Sequence, residues 1–421
     1  MFNSFSTALS ALNASSTAIE VIGNNLANLN TSGFKASTVI FRDLVTQSLG
    51  TGVGETVNSF GTGTPVSLRQ FSQGAIQTTS GKLDAAIQGD GFFVVKDEAG
   101  RQLFTRAGNM VTDKSGFLKT ATGEVLQGWT MDPLTGVLDT NGAVGNIQLP
   151  VGSLKAPIAT SEFTVDLNLN STAAADDTSS FSTPISVYDA LGTSHVLTLK
   201  FTKTDANQWS YQVQAPGEEL SGGTAGTATD IPGASGTLTF DTGGQLTSPA
   251  PGSPIEFDLA GLTDGAADMH LSWDPFTAAA AGRITQFAQA SAPSASSQNG
   301  SGAAQLVSIG LADGGRVMAQ YSDGENVIVG QLAMAAIRNP DSLIAVGNND
   351  FQVSGFSANA SIGLPGTGGR GTIAGGAIES STVDIAREFT NLIVYQRGYE
   401  ANSRVVTTAD QLSQTTINLI R

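Results

Sequence analysis

Only two imidazoles are available to this chain for acid–base or metal chemistry, His195 and His270. Neither lies in a His-x-x-x-His or glutamate-rich stretch of the kind that presents metal ligands on one face. Each therefore reads as a surface or edge-strand residue, His195 beside a predicted strand and His270 in "DMHLSW". A Ser-His-Asp triad would have to use one of these two, and no Gly-x-Ser-x-Gly elbow presents a serine to them. With no cysteine in the chain there is no thiol nucleophile, thiolate ligand or disulfide. The sequence thus assigns no catalytic residue, no metal ligand and no cofactor.

Glycines and carboxylates are read the same way. The string "GTGGRG", residues 366–371, has the form Gly-x-Gly-x-x-Gly, but Pro365 precedes it and "TIAGGA" follows, so no helix N-terminus is offered to a pyrophosphate. Asp-x-x-Gly recurs at Asp97–Gly100, Asp113–Gly116, Asp189–Gly192 and Asp241–Gly244. A calcium loop would need further acidic positions and a terminal glutamate, whereas aspartate first and glycine last suits a tight hairpin turn. The acidic pairs Asp176/Asp177 and Glu218/Glu219 sit in polar stretches and read as solvated, and Asn170 and Asn299 begin Asn-x-Ser/Thr triplets inside Asn- and Ser-rich loops.

The elements carrying these residues come from a chain of 421 residues, long enough for two or three domains. Charged residues make up 13% of it, about half the usual share. Fifty glycines and 14 prolines mark many turns. A net charge of −16 favours solubility and repels nucleic acid and anionic lipid. No run reaches the length of a membrane span, and no basic residue precedes Lys35, so a Sec signal is not expected and any export takes another route.

Both ends carry helical periodicity. Phe5, Leu12, Ile19 and Leu26 recur every seven residues with Leu9 and Ile22 between them, the seam of a helix that packs on another helix. Near the other end Ile385, Leu392, Tyr399 and Val406 repeat at seven with Phe389, and Val405, Leu412 and Leu419 continue the pattern. Ser380, Ser381 or Thr382 could cap this helix ahead of Asp384. The outward face of the first helix carries Ser and Thr in place of Glu and Lys, which suggests burial by other copies. Helices of this kind are marginal alone, so both ends are expected to order on assembly.

The segment "SALSALNASSTAIEVIGNNLANLNTSGFKAS" resembles the opening signature of the bacterial flagellar rod and hook axial proteins, a helix followed by N-N-x-A-N-x-x-T-x-G-F-K. Asn24, Asn25, Ala27, Asn28, Thr31, Gly33, Phe34 and Lys35 match it residue by residue. "FTNLIVYQRGYEANSRVVTTADQLSQTTINLI" resembles the closing helix of the same family, and "GDGFFVVKDEAGRQLFTRAGNMVTDKSGFLKTATGEVLQGW" its first globular domain.

Between the ends the pattern is β. Val165, Leu167 and Leu169, then Leu197, Leu199 and Phe201, then Trp209, Tyr211 and Val213, then Leu238 and Phe240 alternate with polar residues as in an antiparallel sheet over a core. Residues 217–236 read as an exposed loop and "ASAPSASSQNGSGAA" near residue 297 as a flexible connection. The expected fold is mainly β: two barrel- or sandwich-like β-domains nested in sequence, plus a coiled-coil-like pair of terminal α-helices. The expected boundaries are 1–34 with 380–421 for the helical assembly domain and 35–70 with 363–379 for extended connectors. An inner β-domain is expected over 71–145 with 285–362, and an inserted outer β-domain over 146–284.

The resemblance implies a structural subunit, not an enzyme, that self-assembles into the curved helical tube of the flagellar hook and transmits torque from rod to filament. It implies further copies of the chain as partners, together with the distal rod protein, the hook cap, the hook–filament junction protein and the flagellar type III export apparatus, at an extracellular location. The assembly contacts expected are Phe5, Leu9, Leu12, Ile19, Ile22, Asn24, Asn25, Leu26, Asn28, Gly33 and Phe34, with Ile385, Phe389, Leu392, Tyr399, Val406, Leu412 and Leu419. Other readings are a distal rod or junction subunit, or a secreted β-rich carbohydrate-binding protein or hydrolase. Trp209, Tyr211 and Trp273 read better as core than as a sugar platform.

Overall fold

The structure, a computed structural model, describes residues 2–45, 59–132, 137–176 and 179–419. Helices α1 (Phe2–Ala27) and α2 (Ile385–Leu419) open and close the chain, and the intervening elements are β-strands with short 3-10 turns. The start of α2 is capped by Asp384, whose Oδ1 accepts from the N–H groups of Ala386 at 2.9 Å and Arg387 at 3.2 Å. The cap expected at 380–382 falls instead on this aspartate, because Thr382 is engaged elsewhere: its hydroxyl accepts from Ala36 N at 2.9 Å. Among the described residues no helix is long and apolar enough to cross a membrane.

The chain divides into two units, Met1–Val151 with Ser308–Gln320 and Asn326–Arg421, and Gly152–Val307 with Tyr321–Glu325. In the first unit, strands Phe92–Lys96 and Gln102–Thr105 form a hairpin whose other neighbours come from the far side of the sequence. Met334–Ala336 pairs with the first of them, Asp350–Gln352 with the second, and Asn326–Leu332 with Val125–Thr130. Phe71, Phe92 and Phe351 meet edge-on at centroid distances of 5.3–5.9 Å at the centre of this core. The stretches that flank the core toward the helices are not bare connectors. Ser37–Ile40 pairs with Val66–Arg69, Ala85–Gln88 with Thr372–Gly375, and Ile76–Thr78 with Ala377–Glu379.

The second unit is a sandwich of two five-stranded sheets over a shared core containing Trp209, Trp273, Phe163 and Phe201. Strands Ser180–Tyr188, Ser194–Asp205, Gln208–Pro216 and Ala228–Phe240 run as an antiparallel meander with alternate residues buried, as the sequence pattern requires. Two stretches differ from expectation. Part of the expected loop at 217–236 is strand, with Ile231 and Ala234 buried; Gly236 hides the pattern because a Cβ there would lie 2.5 Å from the Tyr211 hydroxyl. The expected flexible connection contains strand Ala292–Gln298, which pairs antiparallel with Glu162–Asn170. Its side chains are exposed or nearly so, so only its backbone is used and its composition resembles a linker. The second unit therefore continues to Val307 and does not end near residue 284.

The four Asp-x-x-Gly sequences named above are tight turns: the glycine N–H donates to the aspartate carbonyl at 3.0–3.1 Å in each. The glycines have φ of 76–87°, which suits residues without a Cβ. "GTGGRG" closes on itself, with Gly366 N donating to Gly371 O at 2.8 Å, and leads into strand Thr372–Gly375. Asp177 lies outside the described residues.

Candidate assembly interface

The motif after α1 ties both chain ends to the first β-unit. Asn25 is buried and clamps the next strand from both sides, its Nδ2 donating to Ser37 O at 2.8 Å and its Oδ1 accepting from Ser37 N at 3.0 Å. Asn28 Nδ2 donates to Asn24 O at 2.9 Å, satisfying a carbonyl that the end of the helix would leave open. Gly33 then turns the chain with φ +68° and donates its N–H to Glu379 O at 2.7 Å. A Cβ at Gly33 would stand 2.5 Å from the Arg106 carbonyl group. Gly33→Ala combines a left-handed backbone with this clash and is expected to cost about 2–4 kcal/mol. Thermal unfolding checks this; an unchanged transition would show that the turn can be rebuilt without the glycine.

Phe34 packs with Ala36 and Val383 in a small cluster where the incoming and outgoing segments meet. Lys35 beside it is fully buried, and its Nζ donates to Glu379 Oε1 and to Ser72 O, each at 2.6 Å. Arg106 reaches the other oxygen of Glu379 at 3.2 Å and donates to Gly89 O at 2.9 Å, with its guanidinium 5.3 Å from the Phe92 ring centre. Gly74 N donates to Glu379 Oε1 at 2.7 Å. Burial pulls the Lys35 ammonium below its ordinary value, opposed by its contact with Glu379. The sequence singled out Lys35 but neither Glu379 nor Arg106, which lie far from it in the chain. The one available signal was an acidic residue in the otherwise apolar strand Ala377–Glu379.

A second buried pair lies nearby. Asn349 Nδ2 donates to Ser32 O at 3.0 Å, and the adjacent Asp350 faces Thr105 and Glu124. Burial opposes ionisation of Glu124, but hydrogen bonds from Thr120 and Thr122 hold it below its ordinary value. At Asp350 burial and then repulsion from Glu124 outweigh a hydrogen bond from Thr105 and push its carboxyl from 3.8 up to about 7. Folding therefore takes up a proton there, and the first unit loses stability as pH rises from about 4 to about 7. Asp350→Asn should flatten that slope and make the unit more stable than wild type at alkaline pH, read by hydrogen exchange in strand Gln102–Thr105. A slope preserved in the variant would place its origin elsewhere.

α1 and α2 pack antiparallel: the chain leaving α1 meets the start of α2 through Phe34 and Val383, and Ser15 at mid-helix faces Gly398. The buried face of α1 is Ala8, Ala14, Ser15, Ala18, Ile22 and Asn25, within which Ala8, Ser15 and Ile22 form a seven-residue series offset by three from the one expected. Small residues occupy it because they let two helix axes approach closely. Of the expected contacts, Ile22, Asn25, Gly33 and Phe34 are buried within the chain, and Leu12, Ile19, Leu26, Asn28, Leu392 and Val406 are half-buried. Asn24 is exposed, as are Phe5 (41%), Leu9 (46%), Ile385 (45%), Phe389 (51%), Tyr399 (43%) and Leu412 (55%). The side chain of Leu419 lies outside the described residues. Ile393 and Val394, exposed by 51% and 59%, add to the α2 set and were not anticipated. Such an array of large apolar side chains is unusual for a monomer surface.

The histidines divide. His270 is exposed and pairs across its strand with Asp258 at 2.7 Å. His195 is buried, contrary to expectation, because the Asp189 turn and Glu219 fold over it. Glu219 is correspondingly bonded and not freely solvated.

Comparison with known proteins covers the same elements. Family models match as "Flagella basal body rod protein" over residues 5–35 and "Flagellar hook protein FlgE/F/G D1 domain" over 86–168. They match as "Flagellar basal body protein FlaE D2 domain" over 159–301 and "Flagellar basal body rod FlgEFG protein C-terminal" over 374–419. Flagellar hook protein FlgE of Escherichia coli is 31% identical, with 99% of both chains covered. That of Salmonella typhimurium is 32% identical over 99% of this chain and all of the relative, and that of Treponema pallidum 30% over all of both. The crystal structure of Helicobacter pylori flagellar hook protein FlgE2 superposes with a TM-score of 0.52 at 13% identity, covering 71% of this chain and 99% of that one, which shows a shared fold. Full-length identity to hook proteins, on a mainly β-fold closed by two terminal helices, places the chain in the flagellar hook protein family.

Proposed function

We propose that the chain polymerises through α1 and α2 into a curved helical tube, the flexible coupling that passes torque from rod to filament. The observation that carries this reading is the apolar array left open after α1 and α2 have paired, with Leu9, Phe389, Val394 and Leu412 each 46–59% exposed. In a polymer these side chains meet other copies, and the small-residue seam holds each subunit's own helices together. The distal rod protein, the hook cap and the hook–filament junction protein are the further partners, and the type III export apparatus delivers the subunit outside the cell. The work is mechanical and needs no catalytic site.

Electron microscopy of the full chain at high salt, beside a chain lacking residues 1–34 and 380–421, tests this. Curved hollow tubes from the first and folded monomers from the second are expected. A full chain that remains monomeric with ordered helices would overturn the proposal, as would tubes formed by the trimmed chain.

A further inference from the structure

In the second unit, His195 lies between three carboxylates. Its Nδ1 is 2.9 Å from Glu219 Oε2, and its Nε2 is 3.2 Å from Asp189 Oδ2 and 3.8 Å from Asp264 Oδ2. The imidazole and the Asp189 carboxylate are buried, whereas Asp264 is at the solvent edge. Both aspartates are held in place through their other oxygen. Asp189 Oδ1 accepts from the N–H groups of Leu191 and Thr193 at 2.8 Å, and Asp264 Oδ1 from that of Ala266 at 3.0 Å. Each is thereby left with Oδ2 turned toward the same ring nitrogen. Among the described residues no lysine or arginine forms an ion pair with Asp189, Glu219 or Asp264.

We propose that Asp189 Oδ2, His195 Nε2 and Asp264 Oδ2 bind a divalent transition-metal cation of the Zn²⁺ type. The three atoms lie within 4.8 Å of one another. A tetrahedron with bonds of about 2.0 Å has edges of about 3.3 Å, so the observed separations need only a small inward movement, which the exposed Asp264 can make. Imidazole with two carboxylates suits Zn²⁺ or its first-row neighbours better than Ca²⁺ or Mg²⁺, which prefer oxygen alone. Glu219 on Nδ1 completes the arrangement: it accepts the Nδ1 proton, fixes the tautomer that presents Nε2 and raises its basicity. On binding, His195 releases its Nε2 proton to solvent and the cation takes that position, with water completing the shell. The cation would join the turn at 189–192 and His195 to the loop at Asp264, distant in sequence, with Glu219 of the short helix Gly217–Glu219 held to the site through His195.

Two histidines in the whole chain make the test clean. Full-length protein, stripped by chelator and ¹⁵N-labelled, is titrated with ZnCl₂ alone and followed by calorimetry and by histidine ring ¹⁵N shifts. The expected result is a 1:1 complex in which the His195 Nε2 signal moves to a metal-bound value and that of His270 does not. Asp264→Asn, at the solvent edge and so tolerated by the fold, should weaken binding at least tenfold. Glu219→Gln should weaken it by about 10–100-fold while keeping the stoichiometry. Absence of saturable binding, a response confined to His270, or affinity unchanged in Asp264→Asn would overturn the assignment and leave His195 as an imidazolium held by its carboxylates.

Discussion

Glu379→Ala is expected to destabilise the first unit by about 3–5 kcal/mol, because it leaves two buried cations without their shared anion. Lys35 and Arg106 approach Glu379 at 2.6 and 3.2 Å, and the three side chains are at most 3% exposed. The aspect that matters is the asymmetry of the group: one carboxylate serves two cations and the Gly74 N–H. Lys35→Met should cost less, since Glu379 keeps Arg106 and the methionine fills the volume of the lysine stem. Hydrogen exchange resolved to strands Phe92–Lys96 and Gln102–Thr105 isolates the first unit from the second, which a single unfolding curve would mix. Amides there should exchange about a hundredfold faster or more in Glu379→Ala, following from about 1.4 kcal/mol per decade. Unchanged protection would mean that the triad holds register and contributes little stability, as some buried ion groups do.

Phe389→Glu and Leu412→Glu, introduced together, are expected to abolish polymerisation while leaving the folded chain intact. Both side chains are more than half exposed in the isolated chain, so their loss costs it little. Glutamate is a good helix former, so α2 itself is preserved. In a polymer each position would exchange an apolar contact of about 1.5–3 kcal/mol for a charge taken out of water. The critical concentration should then rise by well over about a hundredfold, since each 1.4 kcal/mol is tenfold. Sedimentation of high-salt mixtures measures this, with far-UV circular dichroism of the monomer as control. Tubes forming at the wild-type concentration would move the contact surface to another face of α2 or away from it.

The heptad spacing at both ends correctly announced two terminal helices, yet it misplaced the face on which they pair. Hydrophobic pattern weighs Phe5, Leu9 and Phe389 most heavily, whereas close approach of two helices selects small residues such as Ala8, Ser15, Ala18 and Gly398. Phe5, Leu9 and Phe389 are left exposed by that pairing. The same gap separates Lys35 from its partners: a buried lysine demands a counter-charge, but only the fold shows that the counter-charge comes from the far end of the chain.

Alternation over 163–213 and the four Asp-x-x-Gly turns were determined locally, because a period of two and a turn of four residues depend on neighbours alone. So were the two terminal helices, whereas the motif residues Asn25, Gly33, Phe34 and Lys35 were legible only through the family resemblance. Tertiary structure alone decided that Ala292–Gln298 is an edge strand, that Glu379 lies between Lys35 and Arg106, and that Asp189, Glu219 and Asp264 enclose His195. Each of these rests on contacts between residues distant in sequence, where backbone pairing and shared burial, not local propensity, set the free energy.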